Sequence, residues 1–213
     1  MKPIQVVLLE DDAFSRATLV PALTSQNINV VSSSDRAQAT LLAMDLHEIH
    51  VAILDLDLGP GPSGLDIAIL LRQKNPLIGI IFLTSYSDPR LIGNVSADLP
   101  KGSRYLTKSK MSNIQDLVTL IIQVKNSPLL TNFRQESLRS SLTDNQVEIL
   151  KLIADGLTTS QIASRLSVSE KAIEAAITRL NKVLNIDKLE QKNLRIQLVN
   201  AYYELIGKSK SHG

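Results

Sequence analysis

Residues 6–15 read VVLLEDDAFS: four apolar residues run straight into Glu10, Asp11 and Asp12. A short apolar run stopped by charge has the pattern of a buried strand. Carboxylates packed this closely raise one another's pKa and cost stability. They persist together where a cation neutralises them or where the repulsion is put to use. The pattern recurs along the first half of the chain. Val51–Leu54 ends in Asp55, Ile78–Leu83 in Thr84 and Ser85, and Tyr105–Leu106 runs to Lys108; Ile4–Leu9 and Val30–Val31 complete the apolar runs. Helical periodicity fills the gaps at Phe14–Ser25, Arg36–Leu46, Leu65–Lys74 and Asn113–Val124, with a further short helix at 88–96. Strand and helix alternating about five times imply a parallel sheet with helices on both faces. The ligand site of such a sheet lies beyond the carboxyl ends of its strands.

Composition narrows the class. The chain has 213 residues, 44% hydrophobic, enough for two domains with real cores. No apolar run approaches the roughly 20 residues that span a bilayer, and no membrane association is expected. The opening MKPIQVVLLE reads as a strand rather than a signal peptide. With no Cys there can be no disulfide, thiolate zinc site or Cys nucleophile, which fits a reducing cytoplasm. Residues 1–137 carry 12 Lys/Arg against 13 Asp/Glu, whereas residues 138–213 carry 11 against 8. The second part is mildly basic, which permits nucleic-acid binding without demanding it.

Carboxylates at two strand ends, a hydroxyl at a third and a Lys at a fourth converge on one edge of the expected sheet. That set suits a hard divalent cation such as Mg²⁺, which takes oxygen ligands. Metal and Lys together would neutralise an incoming phosphoryl group, which an Asp can accept as an acyl phosphate.

On these residues, 3–125 resemble the receiver domain of two-component response regulators. The resemblance places the acidic pair at Glu10 and Asp11, the phosphoacceptor at Asp55, the switch hydroxyl at Thr84, the switch aromatic at Tyr105 and the pocket lysine at Lys108. DLDLGPGPSGLDIAILLR is similar to the family's loop after the phosphorylated strand, with Gly64 opening the next helix. It implies a flavodoxin-like, doubly wound, five-stranded parallel α/β sheet. It also implies Mg²⁺ held by Glu10, Asp11, Asp55 and the backbone carbonyl of Asp57, with a sensor histidine kinase as phosphoryl donor. Beyond slow loss of its own phosphoryl group, no enzyme activity is expected.

From about Lys125 the rhythm changes. KNSPLLTNFRQESLRSS is polar and reads as a linker. After it the strands stop, and a small all-α region follows. Thr143 caps a helix that Gly156 ends, Thr159 or Ser160 caps a second, and Ser169 caps a third with the stripe Ile173, Ile177, Leu180, Leu184. A last helix, about 189–206, carries Leu194, Leu198, Tyr202 and Leu205. Short helices with a tight turn between second and third make a helix-turn-helix. LTDNQVEILKLIADGLTTSQIASRLSVSEKAIEAAI resembles the DNA-binding domain of the LuxR/NarL/FixJ type. The organisation expected is 1–125 receiver, 126–139 linker, 140–207 helix-turn-helix and 208–213 tail. The resemblance implies double-stranded DNA as partner through Lys171, Glu174, Thr178, Arg179 and Lys182. It implies a homodimer through Leu194, Leu198, Tyr202 and Leu205. Family members commonly have a basic residue where Glu174 stands and a His where Ala176 stands.

Two other readings compete. The departures at Glu174 and Ala176 favour a receiver whose helical part dimerises without binding DNA. ILDLDL places two aspartates two apart after an apolar strand, similar to haloacid-dehalogenase-type phosphatases. Those enzymes open the chain with that motif and continue it with Gly and Thr or Val, whereas here Leu58–Gly59 follows.

Overall fold

The structure, a computed structural model, describes residues 2–91, 99–130, 142–186 and 193–207. It divides into two compact units, Met1–Ser85 with Ala97–Arg134, and Tyr86–Ser96 with Gln135–Gly213.

The first unit alternates β1 (Ile4–Leu9), α1 (Ala13–Thr24), β2 (Ile28–Ser34), α2 (Ala37–Leu46), β3 (Val51–Leu54), α3 (Gly64–Lys74), β4 (Gly79–Thr84), β5 (Arg104–Thr107) and α4 (Ile114–Asn126). The strands form one parallel sheet in the order β2-β1-β3-β4-β5, the doubly wound fold expected. The central strands β3 and β4 are buried along their whole length, which is why they read as unbroken apolar runs. Val6, Leu8, Val51, Ile53, Ile81 and Leu83 share one core with Leu19 and Leu23 of α1 and Leu117, Ile121 and Val124 of α4. Alternate residues Val7, Leu9, Ala52, Leu54, Ile80 and Phe82 are also buried, as a period of two requires of a sheet covered on both faces. Helix starts follow local chemistry: Asp12 caps α1, and Ser63–Asp66 and Asn113–Asp116 form capping boxes at α3 and α4.

The first residues of the expected linker are held to this unit. Arg72 donates to the carbonyls of Lys101 (3.2 Å) and Pro128 (2.8 Å), and the buried Arg104 to those of Gly102 (2.9 Å) and Leu130 (3.0 Å). Gly102 has φ +77, and a Cβ there would lie 2.1 Å from the Pro128 carbonyl oxygen. Residues 131–139 of the linker, and the tail 208–213, lie outside the described residues.

The second unit holds α5 (Asp144–Ala154), α6 (Thr159–Arg165), α7 (Glu170–Val183) and α8 (Leu194–Leu205). Thr143 and Ser169 cap α5 and α7 as expected, and Gly156 takes a left-handed φ of 86 just past α5. The cap of α6 is Thr158 rather than Thr159 or Ser160, because Thr158 stands three residues before Gln161 and closes a capping box with it. Leu142, Val147, Leu150, Ile153, Ile162, Ile173 and Leu180 form its buried side.

Tyr86–Leu91 also belongs to this helical unit. Of the helix expected at 88–96, the structure describes only a single 3₁₀ turn, Pro89–Leu91. Arg90 forks onto Asp88 (2.6 and 3.0 Å) and reaches Asp144 (2.6 Å) and the Leu142 carbonyl (2.8 Å) at the start of α5. Ser87 donates through both its amide (2.8 Å) and its hydroxyl (2.7 Å) to the Leu205 carbonyl at the end of α8. Asp88, followed by Asp144, holds the guanidinium well above its ordinary pKa against the pull of burial.

Candidate functional site

Strand register brings the acid site together. Leu9 pairs with Leu54 across β1 and β3, so the next residues, Glu10 and Asp55, leave the sheet side by side. Thr84 pairs with Thr107 across β4 and β5, which delivers Lys108 one step later. β1 lies between β2 and β3, so this is the place where the strand order reverses, the crevice in which doubly wound sheets hold ligands.

Lys108 Nζ donates to Glu10 Oε1 and to Asp55 Oδ2, both at 2.7 Å. Glu10 is 0% exposed and Asp55 5%, whereas Asp11 is open to solvent. Glu10 Oε2 also lies 2.7 Å from Nζ, but it is buried and takes part in no hydrogen bond. Burial pushes the Glu10 carboxyl up, against the opposing bond from Lys108. Burial pulls the Lys108 ammonium down, but the Asp55 and Glu10 carboxylates outweigh it and raise it above the ordinary lysine value.

One oxygen each from Glu10, Asp11 and Asp55 lie within 4.8 Å of one another. An all-carboxylate set with a buried oxygen lacking a hydrogen-bond partner fits a small hard cation. Asp12 is used otherwise, as the cap accepting from Ser15 N. The amide of Asp57 donates to Asp55 Oδ1 at 3.3 Å. Gly64 packs against the site: a Cβ there would come within 1.9 Å of the Asp55 carbonyl oxygen, so only glycine fits. Thr84 is buried at the end of β4, and Tyr105 is half-buried on β5.

The second candidate surface is α7. Ser167, at φ 54, makes the turn from α6, and the Ser169 hydroxyl accepts from Ala172 N at 3.2 Å to start the helix. Ile173 and Leu180 are buried, whereas Lys171, Glu174, Thr178, Arg179 and Lys182 are all exposed. Ala176 is half-buried. The expected dimer residues separate. Leu194, Tyr202 and Leu205 are half-buried, and Leu198 is 1% exposed.

Sequence reading missed Arg16, which donates to the Glu10 and Asp11 carbonyls. An Arg four residues after the acidic run was its visible signal. It also missed Arg90, which forks onto Asp88 two residues before it and pairs with Asp144 across 54 residues, a distance that leaves no local pattern.

The chain matches the family described as response regulator receiver domain over residues 6–121, and the luxR family of bacterial regulatory proteins over residues 140–192. It is 28% identical to the oxygen regulatory protein NreC of Staphylococcus carnosus, over 86% of this chain and 92% of that protein. It is likewise 28% identical to the transcriptional regulatory protein DesR of Bacillus subtilis, over 92% and 94%. The DNA-binding transcriptional activator EvgA of Escherichia coli is 24% identical, over 90% and 94%. A solved structure of two RcsB dimers bound to two parallel DNAs has a similar fold, with TM-score 0.58 and 21% identity over 95% of this chain and 99% of that one.

Proposed function

Because the chain belongs to the response regulators, joining a receiver to a LuxR-type DNA-binding domain, we propose that phosphorylation of Asp55 controls its binding to promoter DNA. The observation that carries this reading is the contact of Lys108 Nζ with Glu10 and Asp55, both at 2.7 Å, at the point where the strand order reverses. A sensor histidine kinase supplies the phosphoryl group. The Asp55 carboxylate attacks phosphorus, the phosphorus–nitrogen bond of the phosphohistidine breaks, and the imidazole leaves with its bonding electrons. Glu10, Asp11, Asp55 and the Asp57 carbonyl would hold Mg²⁺, which would supply positive charge for the phosphoryl oxygens. Lys108 gives up its bond to Asp55 to meet those oxygens. The Thr84 hydroxyl then moves toward them, and Tyr105 turns inward beside it. The protein works in the cytoplasm as a homodimer.

In the helical unit, α7 enters the major groove. Lys171, Arg179 and Lys182 meet phosphates, Thr178 lies between them, and Glu174 accepts from a cytosine amino group. The DNA binding named for EvgA, the transcriptional regulation named for DesR and the DNA-bound RcsB dimers support duplex DNA as the partner. The exposed Glu174 is the one observation favouring the second reading, a dimerising module that leaves DNA alone.

Incubation with phosphoramidate and Mg²⁺ should add one phosphoryl group, labile to hydroxylamine, and none in Asp55→Asn. Labelling retained in that variant would remove the assignment, and steady turnover of phosphoesters would favour a phosphatase. Gel-shift binding of the full-length phosphorylated protein to genomic fragments decides between the DNA-binding and module readings.

A further inference from the structure

Arg16 follows the acidic run Glu10–Asp12, yet its guanidinium bonds two backbone carbonyls. It lies in the first turn of α1, whose free amides carry partial positive charge and whose N-cap is Asp12. It also flanks a pocket that already contains Lys108 and that is read here as holding a divalent cation. Its bonds say what it does. The half-buried guanidinium donates through Nη1 to the Glu10 carbonyl and to the Asp11 carbonyl, the latter at 2.9 Å. Its own amide donates to the Asp12 carbonyl at 3.1 Å. On the strand side, the loop is held by the Glu10 amide on the Ser34 carbonyl at 3.0 Å.

The geometry points to Arg16 as the positioning residue of the acid pocket. By gripping two successive carbonyls it fixes the peptide planes from which the Glu10 and Asp11 side chains depart. That directs a buried carboxylate and an exposed one toward the same ion, although they repel each other. The assignment rests on the reading of the pocket as a Mg²⁺ site.

A charge role and a positioning role predict opposite signs. Removing a positive charge from beside the site would tighten Mg²⁺ binding, whereas releasing the loop weakens it. The full-length protein is titrated with Mg²⁺ and followed by its thermal transition and by its rate of labelling with phosphoramidate. Wild type is compared with Arg16→Ala and Arg16→Lys. The Mg²⁺ concentration for half-maximal effect should rise about tenfold in Arg16→Ala, as when a group orienting a ligand is lost. The labelling rate at saturating Mg²⁺ should stay within about twofold of wild type, because only metal binding has changed. Arg16→Lys, which keeps a donor for the carbonyls, should recover most of the midpoint and remains informative if Arg16→Ala fails to fold. An unchanged or lowered midpoint in both variants, beside a normal wild-type response, would overturn the role of Arg16 alone. A wild-type protein indifferent to Mg²⁺ would overturn the metal site and this role with it.

Discussion

The acid pocket and the outer face of α7 are both clusters of charge, and they are built on opposite principles. In the pocket, Glu10, Asp55 and Lys108 come from three strand ends, are largely buried and share hydrogen bonds. Each one's environment is made by the other two. On α7, Lys171, Glu174, Arg179 and Lys182 come from one helix and stand in water. Each could be changed with little notice from the rest. Buried charge is cooperative and depends on the whole fold, whereas exposed charge is additive and depends on one element.

Lys108→Ala tests the cooperative side most severely. It strands Glu10 and Asp55 without their shared cation and should cost about 3 kcal/mol of stability in Mg²⁺-free buffer at neutral pH, read from denaturant melts. Adding Asp55→Asn removes one stranded charge, so the double variant should lose at least about 1 kcal/mol less than the sum of the single losses. Simple addition would place the pocket with the helix face.

Arg90→Ala extends the test to the helical unit. The fork holds Asp88, which is 0% exposed, but is itself partly open to water. The loss should be about 2 kcal/mol, short of that for a fully buried pair, and confined to the melting of the helical unit. Global loss, or none, would show that Tyr86–Leu91 is not part of that unit's cooperative structure.

The cap of α3 sits between the two extremes. Ser63→Ala should cost about 1 kcal/mol. The Ser63 hydroxyl and amide hold the Asp66 carboxyl below its ordinary value of 3.8. This contribution is therefore complete above the unfolded value and disappears as pH falls through the lower folded one. Acid titration of stability should be shallower in Ser63→Ala over that interval, and identical titrations would argue against the cap.

The smallest effects belong to α7. Lys182→Ala should weaken binding about equally on every DNA sequence and lower the salt slope by about one. Lys171 and Lys182 are eleven residues apart, about 16 Å along the axis, so their losses should add to within about 0.5 kcal/mol. Glu174→Lys should tighten binding to all sequences if the carboxylate only opposes phosphates. A relaxed preference at one base pair in Glu174→Ala would instead mark a base contact. Strong coupling between the two lysines would erase the contrast between pocket and face.

What could be read in the sequence follows the same line. Glu10, Asp55, Thr84 and Lys108 each end an apolar run, and periodicity alone located them. Their neighbours in space follow once the sheet is parallel and doubly wound. The α7 face was legible because burial of Ile173 and Leu180 turns Lys171, Arg179 and Lys182 outward. The depth at which Leu198 is buried was not, because an apolar helix position looks the same whether it meets its own core or a partner. The assignment of Tyr86–Leu91 to the helical unit had no signal at all, since Arg90 and Asp144 are ordinary charges until the fold brings them together.

That assignment bears on how such proteins can be recombined. A graft that joins this helical region to another receiver at the linker would leave behind Ser87, Asp88 and Arg90, the groups that grip Leu205 and Asp144. The helical unit is therefore discontinuous in the chain, with a short piece encoded two residues after Thr84. A graft that carries both pieces should be more stable than one joined at the linker alone.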